Sequence, residues 1–351
     1  MKVAITADVH LRTKEGYPER YNALRDILNQ IQAEHINFLF IAGDLFDKEF
    51  HDYSDFEKLC KENNQVHFHI IPGNHDWNIS AKTIVGENIH TYNEPTVVEI
   101  GSTSFMFIPY EEKTTMVNKI SGLKENIKGK EWCLIGHGDY YGGSKELNPL
   151  EPGTYMPLSR INVETYNPRM GFLGHIHKPV ALGNVYYMGS PCGIDISETG
   201  KRTFIIFDTE DKSVEFRNVN TDIYYFEESF ILIPNENEIE ELKQNINNRI
   251  NKWNITPSEY GKVNMRVKVK GYSLDKSAVV SALNDGFASF HFYKNESPNI
   301  EELRVSNTNP QKEEIASRVM KLIDEVNWGF GGDEPEKEFV KMKALEVIYG
   351  K

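Results

Sequence analysis

Short apolar runs, each stopped by a glycine or by a charged or imidazole residue, set the rhythm of the first part of the chain. Lys2 to Ala7 is apolar and β-branched and gives way at once to Asp8-Val9-His10. A run of this kind predicts a buried strand that ends in polar groups. Tyr21 to Ala33 places Leu24, Ile27, Leu28 and Ile31 on one helical face. Phe38 to Ala42 predicts a second strand, closed by Gly43-Asp44, and Phe56 to Asn63 a short helix. His67 to Ile71 predicts a third strand, stopped by Pro72-Gly73-Asn74-His75-Asp76. The alternation implies a parallel central sheet carrying helices.

After Pro95 the rhythm changes. Thr96 to Ile100 and Ser104 to Ile108 read as a hairpin turning through Gly101-Ser102-Thr103. Trp132 to Ile135 is a strand that runs into Gly136-His137, and Met170 to Leu173 one that runs into Gly174-His175-Ile176-His177. Tyr186 to Met188 and Thr203 to Phe207 complete a second set, expected to be mostly antiparallel. Two such sheets with their loops gathered at one edge predict an α/β fold, a four-layer αββα sandwich, over residues 1–220.

From residue 221 to 300 the pattern is that of a small α+β unit, with a strictly alternating strand at Val263 to Val269. There Arg266, Lys268 and Lys270 alternate with apolar positions, either as a stripe for phosphates or as the solvated face of a half-buried strand. Residues 301–351 carry Ile315, Val319, Leu322 and Val326 on one helical stripe. A break at Gly329-Phe330-Gly331-Gly332 precedes a second helix bearing Phe339, Met342, Leu345, Ile348 and Tyr349. This hairpin is expected to dock back on its own unit or to bind another protein.

Composition narrows the setting. At 351 residues, with 39% hydrophobic and 26% charged positions, the chain is of ordinary globular type and long enough for about two domains. No apolar run approaches the ~20 residues that span a bilayer, and the apolar start is too short for a signal peptide. Cys60, Cys133 and Cys192 are odd in number and lack metal-type spacing, which predicts reduced thiols in a cytoplasmic protein. The net charge of 39 − 52 = −13 argues against nucleic-acid binding by bulk electrostatics, though not against a local site.

The chemistry lies at five strand ends: Asp8-Val9-His10, Gly43-Asp44, Gly73-Asn74-His75-Asp76, Gly136-His137 and Gly174-His175-Ile176-His177. Ligand sites in open α/β sheets lie beyond the carboxyl ends of the strands. Carboxylates, an amide and imidazoles without thiolate suit Mn²⁺, Fe or Zn²⁺ better than Ca²⁺. Two such ions can clamp a phosphoryl group and activate water for in-line displacement. Each histidine alone would read as a polar residue at a strand end; their joint occurrence makes that reading improbable. His35, His51, His67, His69, His90 and His291 lack this context and read as surface or sheet residues, His51 being a mild exception because the loop after Asp47 is expected near the site. Asp47 and Asp139 read either as carboxylates behind the ligands or as helix caps. Tyr140-Tyr141-Gly142-Gly143 reads as an aromatic loop or a base-stacking element.

The five elements, in this order, resemble the calcineurin-like metallophosphoesterase superfamily. Within it, Gly174-His175-Ile176-His177-Lys178 followed by Tyr187-Met188-Gly189-Ser190-Pro191 is similar to the SbcD family, the nuclease subunit of double-strand-break repair complexes, including shorter phage-type members. The insert from Gly138 to Asn167, the α+β unit and the helical tail also fit that arrangement. The resemblance implies one ion held by Asp8, His10 and His177, a second by Asn74, His137 and His175, and Asp44 bridging both. It implies that His75 contacts the scissile phosphate and helps protonate the leaving oxygen, with Asp76 expected to orient it.

The resulting expectation is a two-metal DNA nuclease, 3′→5′ exonuclease and endonuclease. Mn²⁺ is the leading metal, with Mg²⁺, Fe²⁺ or Zn²⁺ as alternatives. The partners expected are DNA, a second copy in a homodimer, and an SbcC-type coiled-coil ABC ATPase bound through the C-terminal helices, with no membrane partner. The enzymatic alternative is hydrolysis of a small phosphodiester or pyrophosphate, which leaves the roughly 130 residues beyond Thr221 unexplained. A scaffold whose metals only hold the fold would have no use for His75.

Overall fold

A computed structural model describes residues 1–141, 154–307, 309–328 and 336–350. In chain order the first part holds β1 (Lys2–Thr6), α1 (Pro18–Ala33), β2 (Phe38–Ala42), α2 (Ser54–Glu62), β3 (His67–Ile71), β4 (Ile89–Thr91), β5 (Thr96–Ile100), β6 (Thr103–Ile108) and α3 (Met116–Gly122). There follow β7 (Trp132–His137), β8 (Tyr140–Tyr141), β9 (Leu158–Ser159), α4 (Arg160–Tyr166), β10 (Met170–Gly174), β11 (Val180–Leu182), β12 (Val185–Tyr187), β13 (Thr203–Asp208) and β14 (Val214–Asn218). The remainder is β15 (Tyr224–Leu232), α5 (Glu238–Lys252), β16 (Val263–Ser273), α6 (Lys276–Gly286), β17 (His291–Phe292), β18 (Leu303–Val305), α7 (Pro310–Glu325) and α8 (Lys337–Tyr349). These cluster into two compact units, Met1–Gly193 with Lys201–Asp222, and Ile194–Gly200 with Ile223–Lys351.

The first unit has two six-stranded sheets, ordered β14-β13-β1-β2-β3-β4 and β11-β12-β10-β7-β6-β5. Strand alternation explains their stacking. Val3, Ile5, Phe40 and Ala42 from one sheet share a core with Phe105, Phe107, Cys133 and Ile135 from the other. The intervening residues face outward under helices: Leu39 and Ile41 under α1 and α2, and Met106 and Leu134 under α3 and α4. With both faces covered, these strands read as nearly unbroken apolar runs. The result is the expected αββα sandwich.

Two details differ from expectation. Thr203 to Phe207 joins the first sheet, where β13 runs antiparallel to β1 with Val3 opposite Phe207. The second sheet is mixed, because β6, β7, β10 and β12 run parallel and only β5 and β11 are antiparallel. The parallel arrangement turns the carboxyl ends of β7 and β10 to the same edge.

The second unit centres on a parallel pair, β15 and β16, in register from Tyr224 opposite Val263 to Leu232 opposite Gly271. Leu242, Ile246, Val279 and Leu283 of α5 and α6 pack on this sheet, with Trp253 stacked on Phe226 at 4.2 Å. Ala316 of α7 and Leu345 and Tyr349 of α8 close a smaller cluster on Tyr272. The cations of β16 are answered by glutamates: Arg266 by Glu296 at 2.9 Å, Lys268 by Glu227 at 2.5 Å, and Lys270 by Glu302 at 3.6 Å. Of the two readings open for this strand, its contacts match the solvated, half-buried face. The Gly329 to Gly332 break and Gly142-Gly143 lie outside the described residues. Among the described residues no helix is long and apolar enough to cross a membrane. All three cysteines are buried and unbonded to one another.

His69 on β3 is pressed into the intersheet core, against Phe40 and Phe107, with Nδ1 2.7 Å from the Tyr92 hydroxyl. Burial, reinforced by His90 and His67, pushes its imidazole down to about 3. The unfolded chain titrates near 6.5, so it binds the extra proton first and native stability falls as pH drops from about 6.5 toward 3. Between pH 7.5 and 5.0 the stability advantage of the wild type over His69→Phe is expected to shrink by about 2 kcal/mol in urea unfolding. A difference that stays constant with pH would contradict the neutral, buried imidazole.

Candidate metal centre

The predicted donors come together at the carboxyl edge of the two sheets. Asp8 and His10 leave β1 with φ of 53° and 49°, Asp44 leaves β2 at 49°, and His175 leaves β10 at 95°. Left-handed backbone at four non-glycine residues is costly, and its concentration here is the mark of a site whose side chains must be aimed. The two loops of the first sheet are laced together by Asp8 N–H to Gly43 C=O at 3.1 Å and His10 N–H to Asp44 C=O at 3.0 Å.

Two glycines make room for His137. Gly43 has φ of 89°, and a Cβ there would strike the His137 ring; a Cβ on Gly174 would meet both that ring and the Ala42 carbonyl. The ring is thereby wedged between backbones and donates from Nδ1 to the Ala42 carbonyl at 2.9 Å. That fixes Nε2 as the atom facing the cleft, 2.8 Å from Asn74 Oδ1 and 3.4 Å from Asp44 Oδ2. His175 Nδ1 lies 3.2 Å from the same Asn74 oxygen. On the other side His10 Nε2 and His177 Nε2 face each other at 3.2 Å.

Among the described residues, three groups each bring one ligand atom per residue within 4.8 Å of the others: Asp8-His10-His177, His10-Asp44-His75 and Asp8-Asp44-His137. Asp44 belongs to two of them and stands between His10, at 3.8 Å, and His137. The nine residues singled out from sequence thus fall in one neighbourhood, with Asp44 where a bridging carboxylate would stand.

The electrostatics fit divalent cations. Asp8 and Asp44 are both almost fully buried. Burial drives Asp8 up to about 6 against the pull of His177 and His137. Burial acts on Asp44 in the same sense, but His137, His10 and His75 hold it well below the usual carboxylate range. Burial takes His10 down to about 3, leaving a neutral imidazole with a lone pair to offer. For His137 burial works downward, yet Asp44 and Asp8 hold it at about 9. Oxygen and nitrogen donors converging in one buried place suit Mn²⁺, Fe²⁺ or Zn²⁺, whose binding would displace the proton that Asp44 and Asp8 hold on His137.

His75 sits at the rim. Its ring is edge-on to His10 at 4.6 Å and partly exposed, and its Nδ1 is 3.4 Å from Asp47 Oδ1. The role expected of Asp76 is corrected here. Its two carboxylate oxygens accept from the backbone amides of Gly73, at 2.7 Å, and Phe46, at 3.1 Å, so it clamps the loop instead of orienting His75. Burial and the charge of Asp44 raise it to about 7. The carboxylate beside His75 is Asp47, held low by His75, His10 and Arg12 against burial. Asp139 lies 3.7 Å from His175 Nε2 and accepts from the Tyr155 amide. Tyr140 is buried, with its amide donating to the Tyr187 hydroxyl, so it offers no face for a base.

Two buried arginines lie outside the motifs that the sequence reading singles out. Arg20 donates to the His10 carbonyl and to Asp47 at 3.2 Å. Arg202 donates to the His177 carbonyl and to Ser190, tying the Met188-Gly189-Ser190 segment to the histidine pair. Arg20 carries a signal, since it precedes Leu24, Ile27 and Ile31 on the buried stripe of α1. Arg202 carries none.

Residues 1–179 match the family model for calcineurin-like phosphoesterases. A curated relative, the uncharacterized metallophosphoesterase YhaO of Bacillus subtilis (strain 168), is 25% identical over 234 residues. The match covers 60% of this chain and 55% of that protein, so the chain spans about half the length of the curated relative it matches. Among solved structures, TT1561 of Thermus thermophilus is 16% identical with a TM-score of 0.44, over 62% of this chain and 99% of that one. A novel archaeal phosphodiesterase is 20% identical with a TM-score of 0.35, over 62% and 100% of the two chains. A dimetal phosphatase from Danio rerio is 11% identical with a TM-score of 0.41, over 62% and 96%.

Asp76→Ala leaves two buried amides without acceptors, at about 1–3 kcal/mol each. The variant is expected to unfold at lower urea and to retain less metal after dialysis, read by elemental analysis. An unchanged urea midpoint with a displaced pH–rate profile would instead return Asp76 to the role of orienting His75.

Proposed function

We propose that this chain, which belongs to the calcineurin-like phosphoesterase family and is a metal-dependent hydrolase, is a DNA nuclease that cleaves phosphodiester bonds. The observation that carries the reading is the rim position of His75, partly exposed between the buried donors and solvent and backed by Asp47. Asp8, His10, Asp44 and His177 on one side and Asp44, Asn74, His137 and His175 on the other would hold two divalent cations, Mn²⁺ foremost. When bound, such ions supply Lewis-acid activation of water and neutralisation of phosphoryl charge. The chain's own residues do the rest. Asp47 Oδ1, 3.4 Å from His75 Nδ1, is the carboxylate placed to stabilise positive charge on that ring when it gives a proton to the leaving oxygen. Asp76, Arg20 and Arg202 hold the backbone of His75, His10 and His177 in place.

The DNA substrate is supported by the resemblance of the Gly174 to Lys178 and Tyr187 to Pro191 motifs to SbcD nucleases, and by a second unit that a small-substrate hydrolase would not need. The tail supports a protein partner: Ile315 and Leu322 on α7, Val326 just after it, and Phe339 and Val347 on α8 are exposed. An apolar stripe of that kind fits a helix of a coiled-coil ABC ATPase, with a second copy of the chain completing a dimer.

With Mn²⁺, end-labelled duplex or single-stranded DNA is expected to be degraded, and His75→Ala to lower the rate by about 10²–10⁴-fold with metal content unchanged. Turnover of bis-p-nitrophenyl phosphate with DNA untouched at low salt would replace the nuclease with a small-diester hydrolase.

A further inference from the structure

The loop that delivers Asn74 and His75 also delivers an indole that the metal chemistry does not use. Trp77 is 68% exposed, and among the described residues of its unit it is the one aromatic so exposed. Its position is not that of a loose surface residue. The preceding backbone is clamped by Asp76 to Gly73 and Phe46, by His75 N–H to Asp44 Oδ1 at 2.8 Å, and by Ile79 N–H to the Asp76 carbonyl at 3.0 Å. An exposed indole on a fixed loop forgoes burial, and contact with a ligand orders little that is not ordered already, which is the profile of a binding group.

Trp77 borders a cavity of about 660 Å³ that Asn74 and His75 also line. Tyr110 and Tyr155 form the wall toward the metal centre. Their rings lie 6.2 Å apart, and Tyr155 is 4.5 Å from the ring of His175. The lining also includes Glu111 and Glu112, with Lys48 as the one cation among the described residues that line the cavity. Both carboxylates are exposed and already paired, Glu111 with Lys119 and Glu112 with Lys113 at 3.4 Å, so the lining carries little net charge to hold a second phosphate. It is right for a flat, uncharged ring that stacks on aromatic faces and offers N–H groups to carboxylates.

We propose that this cavity is a nucleobase subsite, in which Trp77 stacks on the base of the nucleoside attached to the phosphate held at the metal centre. The proposal rests on the phosphodiesterase reading above and adds to it what the site recognises beyond phosphate. Trp77 is a specificity residue here: stacking is tolerant of sequence, so the subsite separates nucleotides from other phosphates without choosing among bases. The same base could arrive in a nucleic-acid strand or in a free nucleotide.

The test is calorimetric titration of the Mn²⁺-loaded full chain with deoxyadenosine 5′-monophosphate, deoxyribose 5-phosphate and inorganic phosphate. The wild type is expected to bind the nucleotide at least about tenfold more tightly than the sugar phosphate. Trp77→Ala should erase that ratio while leaving the affinity for inorganic phosphate unchanged, and Trp77→Phe should keep most of it. Equal binding of nucleotide and sugar phosphate by the wild type, or an undiminished ratio in Trp77→Ala, would overturn the subsite. Turnover of an oligonucleotide and of a free dinucleotide by the same proteins separates the two sources of the base. A chain that shows the nucleotide preference without cleaving any diester would sink the phosphodiesterase reading alone; one that cleaves diesters without the preference would sink the subsite alone.

Discussion

Two carboxylates cannot share a buried neighbourhood as anions unless positive charge is supplied between them. Asp8 and Asp44 are in that position: burial drives one up, and imidazoles hold the other down against the same burial. The rest of the edge serves this crowding. Backbone enters the left-handed region at Asp8, His10, Asp44 and His175 so that side chains from two sheets can point at one another. Gly43 and Gly174 give up their side chains so that the His137 ring can be wedged with a single nitrogen facing inward. The strain this stores, of order 1–3 kcal/mol per residue, is held in place by a sandwich buried on both faces of both sheets.

Much of this edge was legible in the sequence because its two parts carry independent signals. Apolar runs buried on both faces, such as Phe38 to Ala42, announce strands, and the donor following each run announces its carboxyl end. What periodicity does not carry is long-range pairing, which is why Thr203 to Phe207 reads as part of the second sheet although it completes the first. Nor does it carry the direction of a side chain within a tight loop. Asp76 is adjacent to His75 in sequence, but the loop curls so that its carboxylate points back to Gly73, and Asp47, 28 positions earlier, stands beside the ring instead. Arg20 was readable as a charge on a buried helical stripe, an anomaly that asks for a buried acceptor. Arg202 was not, because its acceptors are main-chain carbonyls with no signature of residue type.

The neutralised cations of β16 change where recognition is sought. With Arg266, Lys268 and Lys270 each paired to a glutamate, the second unit offers no uncompensated stripe along that strand. Exposed ion pairs of this kind contribute little to stability and can be exchanged for other partners at small cost.

The pairing of β13 with β1 also bears on how the chain is made. Val3 waits for Phe207, and the sheet that supports the ligand edge gains its sixth strand only when Val214–Asn218 has been added. At ~5–20 residues per second, one flank of β1 stays without its partner for roughly 10–40 seconds of synthesis. Over that interval α1, β2 and β3 can assemble on the other flank, while the open edge is a template for any unpaired strand nearby. Residues 201–222 thus act as the closing piece of the first unit, and the pace of their delivery governs how much nascent chain escapes misassembly.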